Sequence, residues 1–207
     1  MFGGLLYILQ EIKVGTVIIG KQYESSENYK EFQRIVNMKK VNTHVVEAGN
    51  KIQIETNLYF YVLWPTSTNM ISDNAINNNS LVCKLVYKNF SMLFTGDIEE
   101  IAEKVILSKY VNKQEVLNAD ILKVAHHGSK TSSIKEFINA VNPKYAVIGV
   151  GKDNKFGHPS EKTLETLNDK NVKIYRTDIS GEIMIIIDGD IVKVKSFLNT
   201  SWELWMQ

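Results

Sequence analysis

The sequence has one cysteine, four histidines and a formal net charge of +1 over 207 residues, and each scarcity excludes something. A single cysteine, Cys83, rules out an internal disulfide. It lies in the alternating run Leu81-Val82-Cys83-Lys84-Leu85-Val86-Tyr87-Lys88, on one face with Leu81, Leu85 and Tyr87. There it reads as a small buried hydrophobe, since no base stands near it in sequence to activate the thiol. The near-neutral charge gives no whole-surface attraction to nucleic acid, so any such affinity has to come from a local cluster. Long apolar runs are missing too. The leading stretch Met1-Phe2-Gly3-Gly4-Leu5-Leu6-Tyr7-Ile8-Leu9 has no basic lead. Gln10, Glu11 and Lys13 end it well short of the about 20 residues of a membrane span. The expectation is a chain with no anchor or export signal of its own, cytoplasmic by sequence.

What is present is the balance of a globular protein, 44% hydrophobic and 23% charged, long enough for a sizeable core. No repeat, low-complexity tract or linker divides it. It reads as one domain over residues 1–198 with a C-terminal tail at 199–207, a short helix or a disordered end. Periodicity predicts a helix at 3–12, a buried strand at 15–20 and an amphipathic helix at 26–38, for which the Ser25/Ser26 pair supplies the N-cap. Strands follow at 41–46, 51–55 and 58–64, with Gly49-Asn50 as a hairpin turn. After a polar loop at 66–79 come strands at 81–88 and 90–95, turning at Lys88-Asn89. The rest alternates: helix 98–108, strand 120–125, helix 133–141, strand 145–150, helix 160–169, then strands near 172–176, 182–187 and 190–196. Hairpins first and β-α alternation later imply mixed sheets with helices on their outer faces.

Three strand ends carry metal-capable residues. Leu93-Phe94-Thr95-Gly96-Asp97 closes a hydrophobic strand with a glycine turn and an aspartate, which could equally be the N-cap of the next helix. Leu122-Lys123-Val124-Ala125-His126-His127-Gly128-Ser129 ends in two histidines, whose adjacent side chains point different ways, so one of them can face a metal and the other support it. Val150-Gly151-Lys152-Asp153-Asn154-Lys155-Phe156-Gly157-His158-Pro159-Ser160 adds two lysines, a histidine and a helix start. All three segments close consecutive strands, and the carboxyl ends of such strands are where open α/β sheets gather their sites. An Asp-His-His set suits zinc or manganese. His44, alone within its strand, reads as structural or surface.

In this order, Asn78-Asn79-Ser80-Leu81-Val82, Phe94-Thr95-Gly96-Asp97, His126-His127-Gly128-Ser129-Lys130-Thr131-Ser132, Phe156-Gly157-His158-Pro159-Ser160 and Tyr175-Arg176-Thr177-Asp178 resemble the metallo-β-lactamase-fold domain of ComEC-type competence proteins. The resemblance implies an αβ/βα sandwich and a divalent-metal hydrolase that cleaves phosphodiester bonds in DNA uptake. It implies catalytic roles for Asp97, as the metal-bridging carboxylate, and for Lys130. Asp97, His126, His127 and His158 would face metal. Asn79, Ser80, Ser129, Lys130, Lys152 and Lys155 would face phosphate or substrate, although each lysine taken singly also reads as solvated surface.

The sequence departs from that family at its start. The family's main metal motif, His-x-His-x-Asp-His, runs straight into Gly-Gly-Leu. Here Met1-Phe2-Gly3-Gly4-Leu5 stands where the motif should end, and no His-x-His occurs anywhere. The expectation is an N-terminally truncated domain that lacks the first strands of the sandwich. A two-metal centre needs roughly three or four protein ligands per metal, so one weakly held zinc or manganese ion, or none, is expected. Impaired hydrolysis follows, with a non-catalytic remnant or nucleic-acid-binding or partner-binding module, and a small-molecule metallohydrolase, as alternatives. The resemblance also implies that full-length relatives carry this domain on a membrane channel. An unpaired sheet edge beside exposed apolar residues should invite association.

Overall fold

Period-2 alternation decides the architecture. In the computed structural model, which describes residues 3–21, 26–188 and 191–206, seven strands form one sheet. They are β3 (Lys51–Glu55), β4 (Leu58–Trp64), β5 (Val82–Tyr87), β6 (Phe90–Phe94), β7 (Ile121–Lys123), β8 (Tyr145–Ile148) and β9 (Lys173–Arg176), in that spatial order. β3 to β6 are antiparallel and β6 to β9 parallel. Successive side chains face opposite sides. Leu93, Leu122, Ala146 and Ile148 point to one layer, and Met92, Ile121, Tyr145 and Val147 to the other.

The first layer is helical: α4 (Glu100–Lys109), α5 (Lys135–Val141) and α6 (Glu161–Asn168) bury Ala102, Ile106, Phe137, Ile138, Val141 and Leu167 against the sheet. The second is a three-stranded antiparallel sheet of β10 (Ile183–Asp188), β11 (Ile191–Ser196) and β12 (Asn199–Met206), which packs Val192 and Val194 onto Phe90, Ile121 and Tyr175. Residues 199–206, expected as a short helix or a disordered end, are therefore a strand, paired with β11 from Ser196↔Asn199 to Ile191↔Met206. Pairing with β11 completes the sheet, a tertiary gain that local pattern does not reveal.

A separate unit precedes this body: α1 (Gly3–Glu11), β1 (Thr16–Gly20), α2 (Glu27–Lys39) and β2 (Asn42–Val46), with β1 and β2 parallel. Ser26 Oγ caps α2 by accepting from the Tyr29 N–H at 3.2 Å; Ser25 lies outside the described residues. The helix stops at Lys40, whose left-handed φ of 53 turns its N–H onto the Asn37 and Val36 carbonyls. Gly49-Asn50 is not the hairpin turn expected. β2 pairs with β1 and β3 with β4, so the turn carries the chain between two sheets. It is fixed by Asn50 N–H on Glu47 O at 3.0 Å and Gly49 N–H on Val62 O at 2.9 Å. Lys88-Asn89 does turn the β5–β6 hairpin, with Lys88 at φ 52. One-turn helices α3 (Ala75–Asn78) and α7 (Thr177–Ser180) occupy segments where no helix was expected. No helix among the described residues is long and apolar enough to cross a membrane.

Candidate metal and substrate site

The loops after β6, β7 and β8 meet at the carboxyl edge of the parallel strands. Gly96 makes the first close approach. Its φ is +54, and a Cβ there would fall 2.7 Å from Ser80 Cβ, so only glycine passes without displacement. Its carbonyl accepts from the His126 N–H at 3.0 Å, which ties the first loop to the second. Gly128, at φ +82, ties the second to the third. A Cβ there would meet Pro159 Cβ at 2.6 Å, and Gly128 O accepts from the Ser160 N–H at 2.8 Å. Between these points His126 and His127 both adopt left-handed backbone, φ 48 and 57. Two consecutive non-glycine residues in that region store strain of about 1–3 kcal/mol each, a cost that concentrates at functional sites.

That backbone aims the two rings apart. His127 Nδ1 lies 2.6 Å from Gly149 O, so it carries the proton and donates, leaving Nε2 as the lone-pair nitrogen. Nε2 faces Asp97 Oδ1 at 3.8 Å. His126 turns instead toward His158, ring centroids 5.8 Å apart, and toward Glu99, whose Oε1 is 3.3 Å from His126 Nδ1. The line of that approach is wrong for a hydrogen bond, and the Nδ1 atoms of His126 and His158 are both buried without a hydrogen-bond partner. Glu99 Oε1 accepts from Thr131 Oγ1 at 3.1 Å. Burial, then the neighbouring His126 and His127, hold the His158 imidazole below the ordinary histidine range. Burial likewise lowers Lys123, while the Asp97 carboxylate acts the other way. A fourth loop joins at Thr177, whose Oγ1 accepts from Val150 N at 2.7 Å and donates to Val150 O at 2.8 Å. Beside it, Arg176 forks onto Asp178 at 3.1 and 2.7 Å and keeps that carboxyl below the usual range.

Asp97 is not the helix N-cap; that position belongs to Glu99. Two ligands of a tetrahedral zinc stand about 3.3 Å apart, so Asp97 and His127 fit as neighbouring ligands after a small inward movement. Among the described residues no third His, Cys, Asp or Glu joins them in a metal-holding group. The residues present therefore fit half of a coordination shell.

Of the residues expected to face phosphate, Lys130, Lys152 and Lys155 are exposed on these loops. Ser129 is buried, its Oγ 3.0 Å from Thr131 Oγ1. Ser80 packs against the Gly96 turn. Asn79 is buried, and its amide bonds Ile71 N, Ile71 O and Ala75 O. Outside the site, Cys83 is partly buried, its thiol pushed up to about 11 by burial, and His44 is exposed.

No family model matches the chain. It is 34% identical over 176 residues to ComE operon protein 3 of Bacillus subtilis, across 85% of this chain and 22% of that protein. Competence protein ComA of Neisseria gonorrhoeae is 36% identical over 136 residues, 66% of this chain and 19% of that one. A solved structure of a CmlA β-hydroxylase mutant superposes with a TM-score of 0.52 at 13% identity, over 85% of this chain and 40% of that one, a likeness that concerns the fold alone. The chain is a ComEC-type metallo-β-lactamase-fold domain. It spans about a fifth of the length of the curated relatives it matches.

In this ComEC-type domain two polar groups of the site escaped the sequence reading. Glu99 stands beside a second acid, Glu100, and Lys123 lies within a strand segment, so neither stands out by residue type. The signal for both was adjacency, two residues beyond Asp97 and three before His126, but spacing alone does not separate it from a solvated surface.

Proposed function

We propose that this domain forms one side of a metal-dependent phosphodiesterase centre acting on DNA in uptake, with Asp97 and His127 as ligands of a single zinc or manganese ion. The observation that carries the reading is the Asp97–His127 pair, 3.8 Å apart, with the imidazole locked from behind by Gly149 O at 2.6 Å. A carbonyl on the far nitrogen is the usual support of a metal-binding histidine, fixing its tautomer and raising its basicity. Asp97 and His127 would hold the ion, and when bound it would supply an activated water and charge neutralisation at the phosphoryl oxygens. The chain's own part is to bind and orient. Lys130, Lys152 and Lys155, exposed on the loops of this edge, would meet the phosphodiester backbone with positive charge. The role in uptake draws on the competence proteins among the relatives.

Two fixed metals need more ligands than the described residues bring together, so the chain alone should hold one ion loosely and cleave little. The test is calorimetric titration with manganese and zinc, beside cleavage assays on single- and double-stranded DNA. One weak ion, lost in Asp97→Ala and in His127→Ala, is the expected result. Absence of any bound ion would overturn the reading. Robust cleavage abolished by Asp97→Ala would overturn the ligand count. A second reading, a nucleic-acid-binding module without catalysis, is favoured by the lack of a third ligand among the described residues. It predicts DNA binding that Asp97→Ala leaves untouched.

A further inference from the structure

Phe156 is the feature of this edge that the metal chemistry does not use. Phe156 is 80% exposed, a high value for a large hydrophobic residue. Exposure of that degree is ordinary on a loosely held loop, but this loop is tied at every turn. Asn154 Nδ2 donates to Gly151 O at 3.1 Å and to His158 O at 2.7 Å. Asn154 Oδ1 accepts from Phe156 N at 3.2 Å and from His158 N at 3.0 Å. The aromatic residue is therefore held out in solvent by a fixed backbone. One side of its ring stacks on the His158 imidazole, centroids 5.9 Å apart and planes within 19°. His158 in turn meets His126 edge-on at 5.8 Å. A row of rings thus runs from open solvent to the histidines beside Asp97, and the same loop carries Lys152, Asp153 and Lys155, all exposed.

We infer that Phe156 is a stacking platform for a nucleobase, and that the strand this site takes is single-stranded nucleic acid. The inference rests on the phosphodiesterase reading above and names the substrate form that reading leaves open. An exposed aromatic face beside cationic side chains is how single strands are held, because every base has a π-face and the lysines follow the phosphates. A duplex keeps its base faces stacked inside and cannot offer one to Phe156. Preorganisation matters here: a ring already fixed loses little freedom when a base lands on it.

The test is fluorescence anisotropy of a labelled oligodeoxythymidylate with the 207-residue chain in the presence of a chelator, so that neither metal nor cleavage enters. Phe156→Ala should weaken binding about ten-fold, and Phe156→Trp should restore it. Neither should change binding of an abasic strand of the same length or of a duplex. Emission from Phe156→Trp should fall on adding the oligodeoxythymidylate and stay constant with the abasic strand. Thermal melting of both variants should match the native chain, since the ring contributes little to the core. Equal affinity of the native chain and Phe156→Ala for the oligodeoxythymidylate overturns the stacking role. If binding then still depends on Lys152→Ala/Lys155→Ala, the nucleic-acid reading survives and only the platform falls. If the native chain binds no DNA at all, both fall. Thymidine monophosphate competing as well as the strand would also overturn the inference, by making the ligand a free nucleotide.

Discussion

The unit of α1, β1, α2 and β2 and the seven-stranded body bury their apolar residues very differently. The body's sheet is covered by helices on one face and by the β10–β12 sheet on the other. The leading unit is built on one cluster of buried residues, Leu9, Phe32, Ile35 and Val36, and leaves Tyr7, Ile8, Ile12, Met38 and Val45 exposed. Parallel strands are normally covered on both faces, yet β2 exposes every residue except Val46. Asp97, His126, His127 and His158 all come from connections within the body. The comparison teaches that the site's geometry is held by the better-packed part and can be perturbed separately from the other.

The largest expected effects come from matched truncations. Trp64 is fully buried, and its Nε1 donates to Asn78 O at 2.7 Å, while Asn78 Oδ1 accepts from Glu99 N at 3.0 Å. Trp64→Ala should cost about 3–5 kcal/mol and lower hydrogen-exchange protection across β4 to β9. Phe32→Ala removes a buried ring of similar worth, but its loss of protection should stay within β1, β2 and their helices. Equal loss in both regions for either variant would break the comparison.

A smaller effect separates the regions by pH. Glu103 is buried in the body, and its carboxylate accepts from Ser133 N at 2.6 Å and Ile134 N at 2.9 Å. Burial nevertheless pushes its carboxyl up to about 7 from 4.5. The native state then holds a proton that the unfolded state has lost, so this contribution is complete below 4.5 and fades as pH rises through about 7. Urea midpoints should fall across that window by on the order of 3 kcal/mol in stability, and Glu103→Gln should flatten the slope. An unchanged slope in Glu103→Gln would assign the dependence elsewhere.

The smallest effect concerns the β2 edge. Val45→Lys, at a position 60% exposed, should change stability by less than about 0.5 kcal/mol. It should still suppress the concentration-dependent association expected of an unpaired edge, since an edge lysine disfavours strand addition. Sedimentation of both chains over a concentration series checks it. A native chain that stays monomeric throughout removes the expectation.

The sequence by itself determined the alternation that splits Ile121 from Leu122 and Tyr145 from Ala146 onto opposite layers, the Ser26 cap, and the three strand ends that carry Asp97, His126-His127 and His158. These are local properties: side-chain period and capping chemistry are written within a few residues. Local reading failed where the partner lies far along the chain. Gly49-Asn50 resembled a hairpin by its turn chemistry, yet its flanking strands belong to different sheets, which is a fact of pairing. The 199–206 segment became a strand only because β11 offered an edge. Adjacency left open which histidine faces Asp97. The tertiary structure decided for His127, because the Gly149 carbonyl just after the neighbouring strand accepts a hydrogen bond from its Nδ1–H and leaves Nε2 facing the carboxylate. Asn79, adjacent to Ser80 in the same motif, was drawn into the Ile71–Ala75 backbone for the same reason: a buried amide takes whatever partners the fold places beside it.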